Sequence, residues 1–168
     1  KLINNVGGLY NRLTYQIKLS PFTLKECEEF FESEGFKYSR YNIVETYMIF
    51  GGIPYYLNYF NKGKSVAQNV NKLFFHKNAI LENEFDRLFD SIFVGAEGVK
   101  SIVRLLYKRN AGFTRKEIVN RLGITDGGKI TRDLNALITS DFIIKYVPYG
   151  LSKKEEHYKL TDPFCLFY

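Results

Sequence analysis

Four basic side chains in the C-terminal half of the sequence are spaced so that they could bind an anionic partner. Lys129 and Arg132 fall on the outward side of one predicted helix, and Lys153 and Lys154 fall in the loop between two predicted strands. If the helix entered a DNA major groove, the loop lysines would contact phosphates. The full outward face of the helix comprises Lys129, Arg132, Asp133, Ala136 and Thr139.

This basic set admits two interpretations. The helix face is thinly basic, and Glu155 and Glu156 directly follow the two loop lysines, which opposes binding to phosphate. DNA binding and a packing or protein-contact role therefore both stay open.

The sequence predicts no catalytic or metal-binding residue in this chain. It lacks a G-x-x-x-x-G-K-[ST] loop, an H-E-x-x-H helix and a nucleophile motif, and His76 and His157 have no nearby Ser or Cys partner. Residues 127–131, Gly-Gly-Lys-Ile-Thr, match only the end of a phosphate loop, without its first glycine or its preceding strand. Cys27 and Cys165 are far apart in sequence, which favours two core thiols over zinc binding or a disulfide.

The elements that must position the basic residues follow the winged-helix order. A helix over 99–107 precedes a capping box at 114–117, which opens a second helix that stops at Gly123. Three helices followed by a hairpin are typical of a winged helix. The third helix is predicted over 129–139, and the two strands over 142–147 and 156–160.

The first half of the chain is organised around the stretch Gly51–Leu57. A helix over 41–50 is ended by Gly51, which can adopt the left-handed conformation, and Pro54 opens a second helix over 53–60. Taken alone, this stretch is most simply a helix corner without a ligand. Around it, the patterns predict a strand over 13–19, a helix from the capping box at 23–26 to about Gly35, and helices over 66–75 and 80–93.

Composition and charge fit a packed protein whose two halves differ. Of the 168 residues, 45% are hydrophobic and 17% aromatic, which is ample for a core. Residues 1–96 carry 11 basic against 10 acidic side chains, and residues 97–168 carry 13 against 8. The basic half is compatible with nucleic acid or with an acidic protein surface.

The chain reads as a cytoplasmic piece of a longer protein. No apolar run reaches the roughly 18 to 20 residues that cross a bilayer, and no signal peptide is visible, so we expect no membrane partner. The sequence begins at Lys1 without a methionine, and its last residues, 163–168, form an apolar run that we expect to be buried by a following segment.

Several segments together resemble one family, the prokaryotic P-loop ATPases of the STAND type, also called archaeal AAA ATPases. The resemblance covers nearly the whole chain and is carried by Leu9–Arg12, Leu19–Phe22, Tyr47–Leu57 and the winged-helix run ending in Tyr158–Tyr168. It implies a mainly α fold, in which a helical lid bundle precedes a winged-helix domain. It also implies four regions: residues 1–22 end a truncated nucleotide-binding core, 23–94 form the lid, 95–162 form the winged helix, and 163–168 begin a further segment.

The resemblance implies that Gly52 and Pro54 form the lid motif that closes over the adenine and ribose of ATP. It implies that Arg12 faces phosphates. The longer parent protein would be an ATPase that binds ATP and Mg²⁺ and acts as a nucleotide-dependent switch, whereas this chain lacks the phosphate loop and is expected to bind neither and to be inactive. The alternative is a DNA-binding transcriptional regulator whose helical half serves dimerisation or sensing.

Overall fold

Nine α-helices and a three-stranded sheet form the described part of the chain, which in this computed structural model comprises Tyr15, Ile17 and residues 19–168. Of Lys153 only the backbone is described. The fold is mainly α with a winged-helix-like part, as the sequence predicts. Arg12 and most of the predicted strand over 13–19 lie outside the described residues, and Tyr15, Ile17 and Leu19 are exposed and belong to no strand.

Five helices make up the helical part, each begun by local signals. Capping boxes open α1, α2 and α4; the box at Thr23 and Glu26 was predicted, and those at Ser39 and Ser65 were not. The helices are α1 (Leu24–Ser33), α2 (Arg40–Phe50), α3 (Pro54–Leu57), α4 (Val66–Val70) and α5 (Glu84–Ile92).

Three predicted helices of this part have different bounds. The predicted helix over 53–60 is the four-residue α3 followed by two tighter turns, in which the N–H groups of Tyr59 and Phe60 bond to carbonyls three residues back. The predicted helix over 66–75 is α4 continued by a π-helical turn, Asn71–Phe75. The predicted helix over 80–93 begins only at Glu84, because turns occupy residues 80–83.

The winged part contains three helices and three short antiparallel strands. The sheet order is β1-β3-β2, with Phe113 opposite Tyr158 and Ile143 opposite Leu160. The sequence analysis missed β1 because two residues are too few for an alternating pattern. The elements are α6 (Glu97–Tyr107), β1 (Phe113–Thr114), α7 (Arg115–Leu122), α8 (Gly128–Thr139), β2 (Ile143–Tyr146) and β3 (His157–Leu160).

The last helix, α9 (Pro163–Phe167), returns to the helical part and packs on α2. The ring of Phe164 stacks on that of Tyr56 with centroids 5.0 Å apart, and Phe164 and Cys165 are buried. The predicted burial of this apolar run by a following segment is therefore wrong for these two residues, since the chain itself covers them.

Aromatic and ionic contacts join the helical part to the winged part. The rings of Phe89 on α5 and Phe142, just before β2, have centroids 4.9 Å apart. Lys100 on α6 is buried, and its ammonium lies 3.1 Å from the Asp86 carboxylate and 2.8 Å from that of Asp90, both on α5. The hydrogen bonds that the ammonium donates to these carboxylates, Asp90 first, raise the pKa of Lys100, so it stays charged.

Candidate functional site at the helix corner

The corner between α2 and α3 has the geometry that the sequence predicts. Gly51 caps α2 in the left-handed conformation, with φ 64° and ψ 22°, and its N–H donates to the carbonyl of Tyr47. Pro54 occupies the first turn of α3, where its missing N–H has no intrahelical partner to lose. The corner is therefore fixed by the backbone.

Gly52 holds the corner against the segment that precedes α1. Its carbonyl accepts a hydrogen bond of 2.8 Å from the N–H of Phe22. A Cβ on Gly52 would lie 2.2 Å from the carbonyl oxygen of Phe22 and 2.9 Å from the Tyr47 ring. Only glycine fits there, because φ is also +71°.

A cavity of about 530 Å³ opens beside this corner. Three groups of residues line it. They are the corner between α2 and α3, the stretch Leu19–Pro21, and a third group from α5 and from the segments on either side of the β2–β3 hairpin. The lining residues are Leu19, Ser20, Pro21, Tyr47, Gly51, Ile53, Pro54, Tyr56, Leu88, Ile92, Ser140, Asp141, Phe142, Thr161, Asp162, Pro163 and Phe164.

The charged side chains in this lining are both acidic, Asp141 and Asp162. The Asp162 carboxylate caps α9 by accepting the N–H of Cys165 at 2.8 Å. Burial raises the pKa of Asp162, although its hydrogen bonds with Cys165 act against this. No Lys or Arg is among the described residues that line the cavity, so this part of its wall can take hydroxyl and amine donors and apolar rings but offers no cation to a phosphate.

We compared the chain with protein-family models, curated proteins and solved structures. None of the three comparisons found a match.

One of the three residues predicted to contact the nucleotide lines the described cavity. Pro54 lines it, and so do Ser20 and Pro21 of the Leu19–Phe22 segment. Gly52 does not line it, because it faces the backbone of Phe22. Arg12 lies outside the described residues.

The second candidate site is the outer face of α8. Lys129 and Arg132 are exposed, and no ion pair forms with either in the described part of the chain. Lys154 is also exposed, whereas the side chain of Lys153 is not described.

The predicted composition of this face is wrong at two positions. Asp133 and Ala136 are half-buried, and the Asp133 carboxylate lies 2.9 Å from where a Cβ of Gly98 would stand. Asp133 thus turns toward the first turn of α6. The sequence analysis instead missed Asn135, which is exposed. Counting helical steps from the buried Ile130, Leu134 and Leu137 would have found it.

The loop between β2 and β3 also differs from the expectation. Glu156 pairs with Lys145 at 3.1 Å, and the Glu155 carboxylate accepts the N–H and O–H of Ser152. Glu156 is thus paired with a cation, whereas the partner of Glu155 is neutral, so the negative charge of Glu155 stays beside Lys154. Tyr149 in this loop is fully exposed, which the sequence did not single out.

Neither a metal-binding cluster nor a membrane-spanning helix occurs among the described residues. No group of three or more His, Cys, Asp or Glu side chains among them could hold a metal ion. None of the helices described is both long and apolar enough to cross a membrane.

Proposed function

We propose that this chain is the lid and winged-helix part of a cytoplasmic, STAND-type switch protein that binds a nucleotide in the corner cavity. One observation carries the proposal: the Gly51–Pro54 corner, the Leu19–Pro21 stretch and the winged part bound the same cavity of about 530 Å³. This volume falls within the roughly 300 to 1,000 Å³ of small-molecule sites.

The residues present fit one end of ATP. The apolar wall around Ile53, Pro54 and Phe142 suits a planar base, and Asp141 and Asp162 supply acceptors for ribose hydroxyls or an exocyclic amine. The same carboxylates would repel the triphosphate. Phosphates and Mg²⁺ would need groups beyond the described residues, such as Arg12 and a phosphate loop elsewhere in a longer protein, so we assign no hydrolytic step to this chain.

The corner cavity is lined by both the helical part and the winged part, and this arrangement supports a role as a switch. A nucleoside in the cavity would contact both the helical and the winged part. A ligand that makes better contacts in one relative arrangement of two parts shifts the population toward it, by at most its difference in affinity. Nucleotide state would then bias the position of the winged part.

The experiment is a calorimetric titration of ADP and ATP into the longer protein and its Pro54→Ala variant. We expect weaker binding by the variant, because Pro54 both lines the cavity and fixes the start of α3. Pro148→Ala, in the loop of the winged part, is the matched control. Equal affinities of wild type and Pro54→Ala would refute the lid assignment, and so would the lack of a G-x-x-x-x-G-K-[ST] motif upstream of Lys1.

A second candidate function is DNA binding by the winged part, as in a transcriptional regulator whose helical half dimerises or senses a ligand. It is favoured by the exposure of Lys129 and Arg132 without ion-pair partners in the described chain. The test is a gel shift with Lys129, Arg132, Lys153 and Lys154 all changed to Glu. Retention equal to that of the wild type would remove this function.

A further inference from the structure

The outer face of α8 carries polar side chains. Arg132, Asn135 and Thr139 succeed one another at helical spacing on the side opposite the buried Ile130 and Leu137, and all three are exposed. Arg can bond guanine, and Asn can bond adenine, through two hydrogen bonds each at the base edges in the major groove. The face therefore carries donors and acceptors suited to a duplex.

The start of α8 is open to close approach. A Cβ on Gly127 or Gly128 would meet no atom within 4 Å, and neither residue has a positive φ. The fold thus does not require glycine at either position. Two glycines beside Arg132 leave room for the edge of a groove to come near the helix backbone.

The charges around this face favour a polyanion. Lys129 and Lys154 are exposed cations for which the described residues provide no ion-pair partner. The acids nearby in sequence are engaged: Asp126 pairs with Arg115 at 2.5 Å. Asp133, the acid that the sequence placed on the face, turns toward Gly98 instead.

We propose that α8 reads the major groove of duplex DNA, with Asn135 specifying an adenine and Arg132 a guanine. The proposal rests on the DNA-binding function above and adds base specificity to it. An α-helix fits a groove about 12 Å wide, and α8 has 12 residues, or about 18 Å of length, so its second and third turns, which carry Arg132 and Asn135, can both reach base edges. Lys129 on the flank would contact phosphate and not bases.

The test selects binding sites for the whole chain from a random duplex DNA library and then measures affinity by fluorescence anisotropy. Each A·T and G·C pair of the selected site is changed in turn, for wild type, Asn135→Ala, Arg132→Ala and Lys129→Ala. Asn58→Ala is the matched control, because Asn58 is an exposed asparagine of the helical part. Thermal unfolding checks that every variant is folded.

We expect Asn135→Ala to lose about 10-fold or more of discrimination at one A·T pair and none elsewhere. Arg132→Ala should do the same at one G·C pair, and Lys129→Ala should weaken binding to all sequences and lower the salt slope by about 1. If the wild type binds DNA but distinguishes base pairs no better than Asn135→Ala and Arg132→Ala do, base reading by α8 is overturned while DNA binding stands. If the wild type binds no duplex, base reading and DNA binding are both overturned.

Discussion

The backbones of Phe22 and Gly52 are joined by a hydrogen bond of 2.8 Å, and they lie so close that a methyl group on Gly52 would overlap the Phe22 carbonyl oxygen at 2.2 Å. This junction ties the segment before α1 to the corner between α2 and α3. The stretch Leu19–Pro21, which lines the corner cavity, immediately precedes it. The shape of the cavity therefore depends on a contact between residues 30 positions apart in the sequence.

Gly52→Ala should lower the free energy of unfolding by about 3 to 5 kcal/mol, because strain at positive φ and overlap with backbone atoms add. Gly63→Ala is the matched control: φ is +77° there, but nothing lies within 4 Å of the added Cβ. It should cost only the conformational term, about 1 to 2 kcal/mol. Urea unfolding of both variants measures the difference, and equal losses would contradict the close approach at Phe22.

Phe164→Ala should destabilise the protein by about 3 to 5 kcal/mol, since it empties a fully buried aromatic site against Tyr56 and Phe74. Leu166→Ala, on the same helix but 42% exposed, should cost about 1 kcal/mol or less. The midpoints of denaturant unfolding, compared at an unchanged m-value, measure the loss of stability in both variants. A small loss for Phe164→Ala would mean that α9 does not belong to the core of the helical part.

Lys100→Met should lower the melting temperature at low salt. It leaves Asp86, Asp90 and Glu97 facing one another without the ammonium that lies within 3.4 Å of each. Because salt screens like charges, 0.5 M NaCl should recover part of the loss in the variant. Lys108→Met, which removes an exposed lysine, is the control, and calorimetric scans at two salt concentrations are the measurement. A loss that is independent of salt would show that packing of the Lys100 chain matters more than its charge.

Glu117 should make the free energy of unfolding depend on pH in the acidic range. Partial burial acts to raise its pKa, but hydrogen bonds from the Thr114 backbone and from Arg109 outweigh this and lower the pKa to about 2. A carboxyl with a lower pKa in the folded than in the unfolded chain contributes stability above its unfolded pKa, near 4.5, and loses it as pH falls toward 2.

Glu117→Gln should therefore cost about 1 to 2 kcal/mol at pH 7, after allowance for the partial exposure of this carboxylate, and much less at pH 2.5. The measurement is urea unfolding between pH 7 and pH 2.5, with Glu32→Gln, at an exposed acid, as the control. A constant difference between variant and wild type over this range would contradict the lowered pKa.

The starts and ends of several helices, and the order of the elements, could be predicted from local residues alone. The capping boxes at Thr23 and Thr114, the stop at Gly51 and the start at Pro54 act within one helical turn, so their outcome does not depend on distant residues. The same holds for the three helices and the hairpin of the winged part, whose apolar periods are strong.

The contacts between those elements could not be predicted in this way, because they depend on how the chain folds as a whole. A helical period shows that α8 has a buried stripe and an outer face that includes Asn135, but it does not show that the Asp133 carboxylate lies beside Gly98 of α6. The pairing of Gly52 with Phe22 and the burial of Phe164 by Tyr56 join residues 30 and 108 positions apart. Such contacts form because the assembled chain buries more apolar surface, and a local pattern carries no information about which distant surface completes it.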